Sequence, residues 1–538
     1  MPETSGRPSP RPAVGDASGN AGCASVDRLG LSSPAMKTLY RASRVHTLSY
    51  PAVGEWVLVD GRHIERVGVG EVPRADRTVD LPGTTILPGF VDSHVHLTGT
   101  GVHHQAPELG SATSASGLLD AARSVAAARQ GPVYLHGWDE SGWRDRTLPT
   151  LAELDAITDR PLGLARVDGH LLLANSPALA ATHAASEPGV ETDDAGAPTG
   201  RLTAKAGQAA KRWFATHLSE HDVEELQLEA ASLAVAHGVT SIHEMSMPAE
   251  RGMRDLEILL AHRSRLPLDV VHYVATTDIS TAMDLGLPRI GGDLAVDGSI
   301  GARTAFVSGG FVDRDAGPSG YFEDDELAQY FHDGHLAGLQ VGVHAIGDAA
   351  VEQVVRTWER VYQSLDSRQR RHFRARRHRI EHFEMSSLDV IERAAMLGLA
   401  ISVQPTFDAR WGFPGGLYEQ GLGEERAGSM NRFRDLLSRG MELGAGSDSP
   451  ITTIDPLVGV AAFEGHHDPT QRLGREEAVR VFTLGSARLA HQEDKKGSLE
   501  PGKHADFAVY EVDPLVASSL EGVRPVLTVS LGRDVYAV

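Results

Sequence analysis

Two imidazoles one residue apart, His94 and His96, stand in the run PGFVDSHVHL at residues 88–97. In an extended strand, residues i and i+2 point the same way, so both rings project from one face. Most His-x-His pairs pack in a core or face solvent, and one pair is weak evidence of chemistry. Here the pattern recurs: His344 in VGVHAIGD, His382 in RIEHFEM and Asp448 in GAGSDSP each end a short apolar run. Four imidazoles and one carboxylate form an all-nitrogen-and-oxygen donor set suited to Zn²⁺, and also to Mn²⁺, Fe²⁺ and Co²⁺. The single cysteine, Cys23, excludes both a thiolate cluster and an intramolecular disulfide framework.

The elements that must position these groups follow from the surrounding pattern. Eight strand-like segments are read at 90–97, 239–245, 268–274, 292–299, 339–348, 377–385, 399–407 and 441–450. They alternate with helical stretches such as 324–338 and 387–398. Eight βα units predict an α/β fold of the (β/α)8 TIM-like barrel type, whose chemistry sits at the C-terminal strand ends; a doubly wound open sheet is the alternative. Residues 36–87 and 495–538 carry short alternating segments punctuated by Gly, Pro and Asp-Gly, which predict small antiparallel strands combining into one β-sandwich. The barrel is then expected over 88–494, with a long insert at about 98–237 covering the site. Residues 1–35, rich in Pro, Gly, Ser and Ala, are expected to be a disordered leader.

Composition narrows the partners. With 51 Lys+Arg against 72 Asp+Glu, the formal net charge is −21, which argues against a phosphate backbone as ligand. No apolar run is long enough to span a membrane and no signal-peptide pattern opens the chain, so a cytoplasmic protein acting on a small molecule is expected. A homodimer is compatible with the chain, but no residue pattern decides it.

Taken in order, PGFVDSHVHL, a strand histidine, a second strand histidine, GSD and finally GSLEPGKHADFAVY resemble the amidohydrolase superfamily of metal-dependent hydrolases. HGWDESGW, RVDGHLLLANSPAL, DGSIGARTA and HAIGDAAV resemble, within it, the branch that includes N-substituted formamide deformylases. The likeness runs from about residue 37 to the C-terminus. It implies a metal-bearing (β/α)8 barrel beside a β-sandwich. It also implies that His94, His96 and Asp448 hold one divalent ion, while His344 and His382 hold a second or orient substrate. One position departs from the branch, which often carries a lysine four residues before the Asp of DGS, able to bridge two ions once carboxylated. Here that position is Asp293, counted back from Asp297. Its carboxylate needs no modification, but it reaches less far, so either the strand sits closer to the ions or the site holds a single ion.

The expected chemistry is hydrolysis of a C–N bond of the amide or formamide type, since a Zn²⁺-like ion lowers the pKa of its water from about 15.7 to about 7. Asp448 is expected to take the proton and return it to the leaving nitrogen, with His382 and His344 polarising the carbonyl. Ester or (thio)carbamate hydrolysis by the same groups is the alternative, and a barrel that binds without turnover is the reading from a different class. Arg303 in DGSIGARTA is a candidate anchor for a substrate carboxylate; His170 and Asp168 in RVDGH, and Trp138 and Asp139 in HGWDES, are candidate pocket walls. His103 and His104 are expected to be solvated. The basic run SRQRRHFRARRHR at 367–379 is expected to be a solvated helix end.

Overall fold

The structure, a computed structural model, describes residues 36–538 apart from 106–108, 129, 315–316 and 318. The expected leader at 1–35, with Cys23, lies outside the described residues. The described residues open with β1 (Lys37–His46), β2 (Val53–Asp60), β3 (His63–Gly68) and β4 (Arg77–Pro88). β5 (Phe90–Val95) follows one residue later and carries His94. An inserted layer contains β6 (Val133–Trp138), β7 (Leu162–Arg166), β8 (Leu172–Ala174), β9 (Val190–Thr192) and β10 (Pro198–Leu202). The alternating β/α region resumes with β11 (Val239–Ser246), β12 (Asp269–Val274), β13 (Arg289–Ile290), β14 (Gln340–Ala345), β15 (Arg379–His382), β16 (Ala400–Val403) and β17 (Glu442–Ala445). β18 (Phe507–Tyr510), β19 (Pro525–Ser530) and β20 (Arg533–Ala537) close the chain.

Both chain ends meet in one seven-stranded sheet ordered β20-β19-β18-β4-β1-β2-β3. The expectation of purely antiparallel pairing is corrected here, because β1 and β4 run parallel. The β2–β3 hairpin occupies one side of β1 antiparallel, and the chain crosses over to place β4 on the other. Tyr40, Val57, Ile86, Phe507 and Val529 bury its apolar face.

The eight strands of the alternating region pair in parallel, in two ladders ordered β12-β11-β5 and β13-β14-β15-β16-β17. Short contacts join their edges. Gly291 N donates to Val274 O at 2.8 Å beside β12, while Asp448 N donates to His94 O and His96 N to Ser449 O, each at 2.8 Å, beside β5. Their side chains are buried on both faces, as parallel strands covered by helices require. One large apolar cluster, including Phe90, Ile242, Phe331, Trp358 and Ile401, fills the space between strands and helices.

The fourth segment differs from its expected place. The regular strand is only Arg289–Ile290, and residues 292–299 pair with β14 through a single backbone bridge at Ala295. The cause is Gly291-Gly292, whose φ values of 84° and 62° turn the chain out of strand conformation. The insert has its own five-stranded sheet and two apolar cores. No helix among the described residues is long and apolar enough to cross a membrane.

Candidate metal centre

His94 lies on β5 and His96 just beyond it, His344 on β14, His382 at the end of β15 and Asp448 three residues past β17. Asp293 follows the Gly-Gly turn after β13. A Cβ on Gly291 would come within 2.0 Å of Gly342 O, and one on Gly292 within 2.7 Å of Tyr273 and Met245. Two glycines therefore let this backbone press against its neighbours, and the short Asp293 side chain reaches the histidines because its backbone sits close.

The six groups converge. Asp293 Oδ1 lies 3.1 Å from His344 Nδ1, 3.4 Å from His382 Nε2 and 3.7 Å from His94 Nε2; its Oδ2 lies 3.4 Å from His96 Nε2. Asp448 Oδ1 is 3.2 Å from His96 Nε2 and 3.4 Å from His94 Nε2. These contacts make three overlapping groups able to grip an ion: His94, His382 and Asp448; His94, His96 and Asp293; and Asp293, His344 and His382.

The outer ring nitrogens of three of the four histidines are already committed. His94 Nδ1 donates to Glu381 at 2.9 Å, His96 Nδ1 to Met245 O at 3.0 Å, and His344 Nε2 to Gly298 O at 3.2 Å. Each bond selects the tautomer whose other nitrogen offers a lone pair inward, which is the usual setting of a ligating histidine. His94 Nε2 and Asp448 Oδ1 are shielded from solvent and complete no hydrogen bond. The ion pairs of the two carboxylates are all with histidines, with no Lys or Arg among them. Two buried carboxylates surrounded by inward lone pairs fit a divalent cation.

Electrostatics follow the same arrangement. Burial opposes charge on His96 and His344, but Asp293 and Asp448 outweigh it at His96, lifting it well above the ordinary imidazole value, and Asp293 and Asp297 outweigh it at His344, lifting it to about 9. Burial likewise opposes ionisation of Asp293, and the four histidines hold its carboxyl well below the ordinary range. Protons thus take the place a cation would fill.

A support that sequence reasoning missed lies beneath. Glu381 receives His94 Nδ1–H and pairs with Arg379, whose Nη2 donates at 2.7 Å; Arg379 Nη1 donates to His243 Nδ1 at 2.8 Å and Tyr273 Oη at 3.2 Å. All five are fully buried. This corrects the reading of 367–379: most of the run is exposed, but its last member, Arg379, turns inward as the first residue of β15. The signal was the i, i+2 spacing of Arg379 and Glu381, which puts them on one face of the strand. Glu381→Gln is expected to weaken metal affinity by about 10- to 100-fold, read by competition with a chromophoric chelator. Unchanged affinity would mean that Glu381 serves Arg379 alone.

The cavity above the cluster is lined by His96, Asp293, His344, His382 and Asp448 on one side and by His136, Asp168 and His170 of the insert on the other. His170 stands with its ring centre 5.7 Å from that of His344. Asp168 is held by Arg166 Nη1 at 2.7 Å and accepts from Ser299 Oγ at 2.6 Å. Lys211 and Glu250, an ion pair at 2.5 Å, and Glu244 also face this space, and no motif pointed to them.

Three expectations are corrected. Trp138 does not line the cavity: it is fully buried in the insert's core, donates Nε1–H to Leu164 O at 2.9 Å and packs near Trp143. Arg303 does not reach the site either. Its Nε donates to Asp313 at 2.9 Å, its Nη1 to Ile300 O at 2.7 Å, and its guanidinium lies over Phe311. His103 is half-buried against His136 rather than solvated, and His104 is exposed.

Burial holds the His170 imidazole down at about 4. An unfolded chain takes that proton near the ordinary value of about 6.5, so the ring withdraws stability as pH falls from about 6.5 to 4. The wild-type Tm is therefore expected to drop below that of His170→Gln across this window in scanning calorimetry. Parallel curves would show that the ring is free to charge.

Comparison with known proteins places these features in a lineage. The model of the amidohydrolase family matches residues 77–536. A Bacillus subtilis (strain 168) protein that carries the name amidohydrolase, YtcJ, is 30% identical over 496 residues, covering 85% of this chain and 90% of its own. An N-substituted formamide deformylase from Arthrobacter pascens is 24% identical over 508 residues, with the same two coverages of 85% and 90%. The crystal structure of a metal-dependent hydrolase from Pyrococcus horikoshii OT3 superposes with a TM-score of 0.70 at 27% identity, over 89% of this chain and 98% of that one. The chain belongs to the amidohydrolase family.

Proposed function

We propose that this protein is a metal-dependent hydrolase that cleaves a C–N bond of the amide or formamide type in a small molecule. The observation that carries the reading is the inward convergence of four imidazoles and two buried carboxylates at the strand ends, with no Lys or Arg among the described residues paired to either carboxylate. The likeness to an N-substituted formamide deformylase supports the choice of bond. We further take the eight parallel strands to close as a (β/α)8 barrel and the terminal sheet to fold as a sandwich beside it.

His94, His96 and Asp448 would hold one ion, with Asp293, His344 and His382 framing a second position; Zn²⁺ is the preferred ion for this N/O set. When bound, such an ion supplies Lewis-acid activation of water and of a carbonyl. The protein's own groups do the rest. Asp448 Oδ1 takes the proton released by the attacking water and returns it to the leaving nitrogen. Glu381 fixes the His94 ring so that Nε2 keeps its inward aim. His136 and His170, kept neutral by burial, face the cavity as hydrogen-bond partners for substrate. Phe407, stacked on His382 at 5.9 Å, forms an apolar wall.

The test is turnover of matched formamide, amide and ester pairs that share one N- or O-substituent, with zinc-loaded protein. Faster hydrolysis of the C–N member supports the proposal, whereas preference for the ester favours the second reading of the same site. Turnover of neither, with metal bound, would leave a binding protein.

A further inference from the structure

Asp408, His466 and His467 form a second convergence of possible ligands away from the strand-end cluster. Asp408 lies on the helix Pro405–Trp411, and the two histidines follow the helix Pro456–Glu464. His466 Nε2 is 3.5 Å and His467 Nδ1 2.5 Å from the same Asp408 Oδ1. Asp408 and His466 are 1% and 0% exposed, so this is an interior carboxylate, and its ion pairs are with these two histidines. His466 Nε2 is shielded from solvent and completes no hydrogen bond. His466 Nδ1 accepts from Asp468 N–H at 3.0 Å and also lies 3.1 Å from Asp468 O, so an ion at Nε2 would move the ring proton to Nδ1, which would then donate to that carbonyl.

We propose that Asp408, His466 and His467 form a separate structural site for a divalent ion of the Zn²⁺ type. Two imidazoles and one carboxylate are a borderline donor set suited to that ion, with solvent completing the coordination. Bonds of about 2.0–2.1 Å at tetrahedral angles put neighbouring ligand atoms about 3.3 Å apart. The His466–Asp408 separation already matches, and the His467–Asp408 contact opens by less than about 1 Å.

The site has a consequence for the cavity. Phe407, next to Asp408 on the same helix, stacks on His382. Trp411, at the end of that helix, donates Nε1–H to Asp139 of the insert at 3.2 Å. An ion on Asp408 ties this helix to the segment after Pro456–Glu464 and so holds one cavity wall and one anchor of the insert.

The experiment counts zinc per chain by elemental analysis in wild type, His467→Ala and His466→Ala. His467, the least buried of the three, gives the variant expected to fold, checked by circular dichroism. A second measurement uses His94→Ala/Asp293→Ala, which removes a ligand from every grouping at the strand ends, and follows Tm as ZnCl₂ is added. The proposal expects one zinc fewer per chain in His467→Ala, and a zinc-dependent rise in Tm in the double variant that adding His467→Ala abolishes. Equal zinc in wild type and His467→Ala, or no rise in the double variant, overturns it and leaves Asp408 and His467 as an ion pair.

Discussion

Asp448→Asn is expected to lower kcat by about 10³-fold, within the range for loss of a positioned acid–base group. The substitution keeps the shape of the side chain and removes its ability to accept a proton. The setting is one that a merely structural Asp would not need. Its backbone adopts φ 53°, a left-handed conformation uncommon outside glycine, and is fixed there by donation of its N–H to His94 O at 2.8 Å. His382, also in the cluster, has φ 70°. Burial opposes ionisation of Asp448, but His94 and His96 hold its carboxyl below the ordinary range, so it stays an acceptor at neutral pH. Single-turnover kinetics with a formamide substrate, together with zinc content, read the result. A variant that keeps its zinc and turns over within tenfold of wild type would remove Asp448 from the proposed proton path.

The sequence made the centre legible wherever one residue's chemistry and its place on a strand coincided. His94, His96, His344, His382 and Asp448 each end a short apolar segment, and the fold gathers them because parallel strands present their C-terminal ends together. Arg303 and Trp138 were misplaced for a different reason. Both sit in motifs beside the site, but a motif does not say which way a side chain turns. Arg303 found Asp313, and Trp138 found the insert's core. The Glu381–Arg379 support was hidden because Arg379 closes a run of exposed basic residues, and burial depends on partners from β5, β11 and β12 that lie far away in sequence. The parallel β1–β4 pair was equally out of reach, since local alternation gives strand character but not direction.

Asp293→Ala is expected to remove at least one ion per chain and to reduce turnover by more than about 10²-fold, beyond the range for outer-layer partners of metal ligands. Asp293 touches all four histidines of the cluster, and it belongs to two of its three candidate ligand groups. Its short reach raised the choice between a displaced strand and a single ion. The Gly291-Gly292 turn answers the steric half by bringing the backbone against Gly342 and Tyr273. With reach no longer limiting, Oδ1 toward His344 and His382 and Oδ2 toward His96 can serve two positions at once. Alanine leaves those imidazoles without their shared anion, so the raised pKa values of His96 and His344 should fall back, an effect visible by NMR of the metal-free protein. Asp293→Asn separates charge from shape: it should lose the ion as alanine does while keeping the packing. Two ions in wild type and one or none in both variants establish a bridging carboxylate. One ion in all three proteins would instead assign the ion to His94, His96 and Asp448, and leave His344 and His382 to the substrate.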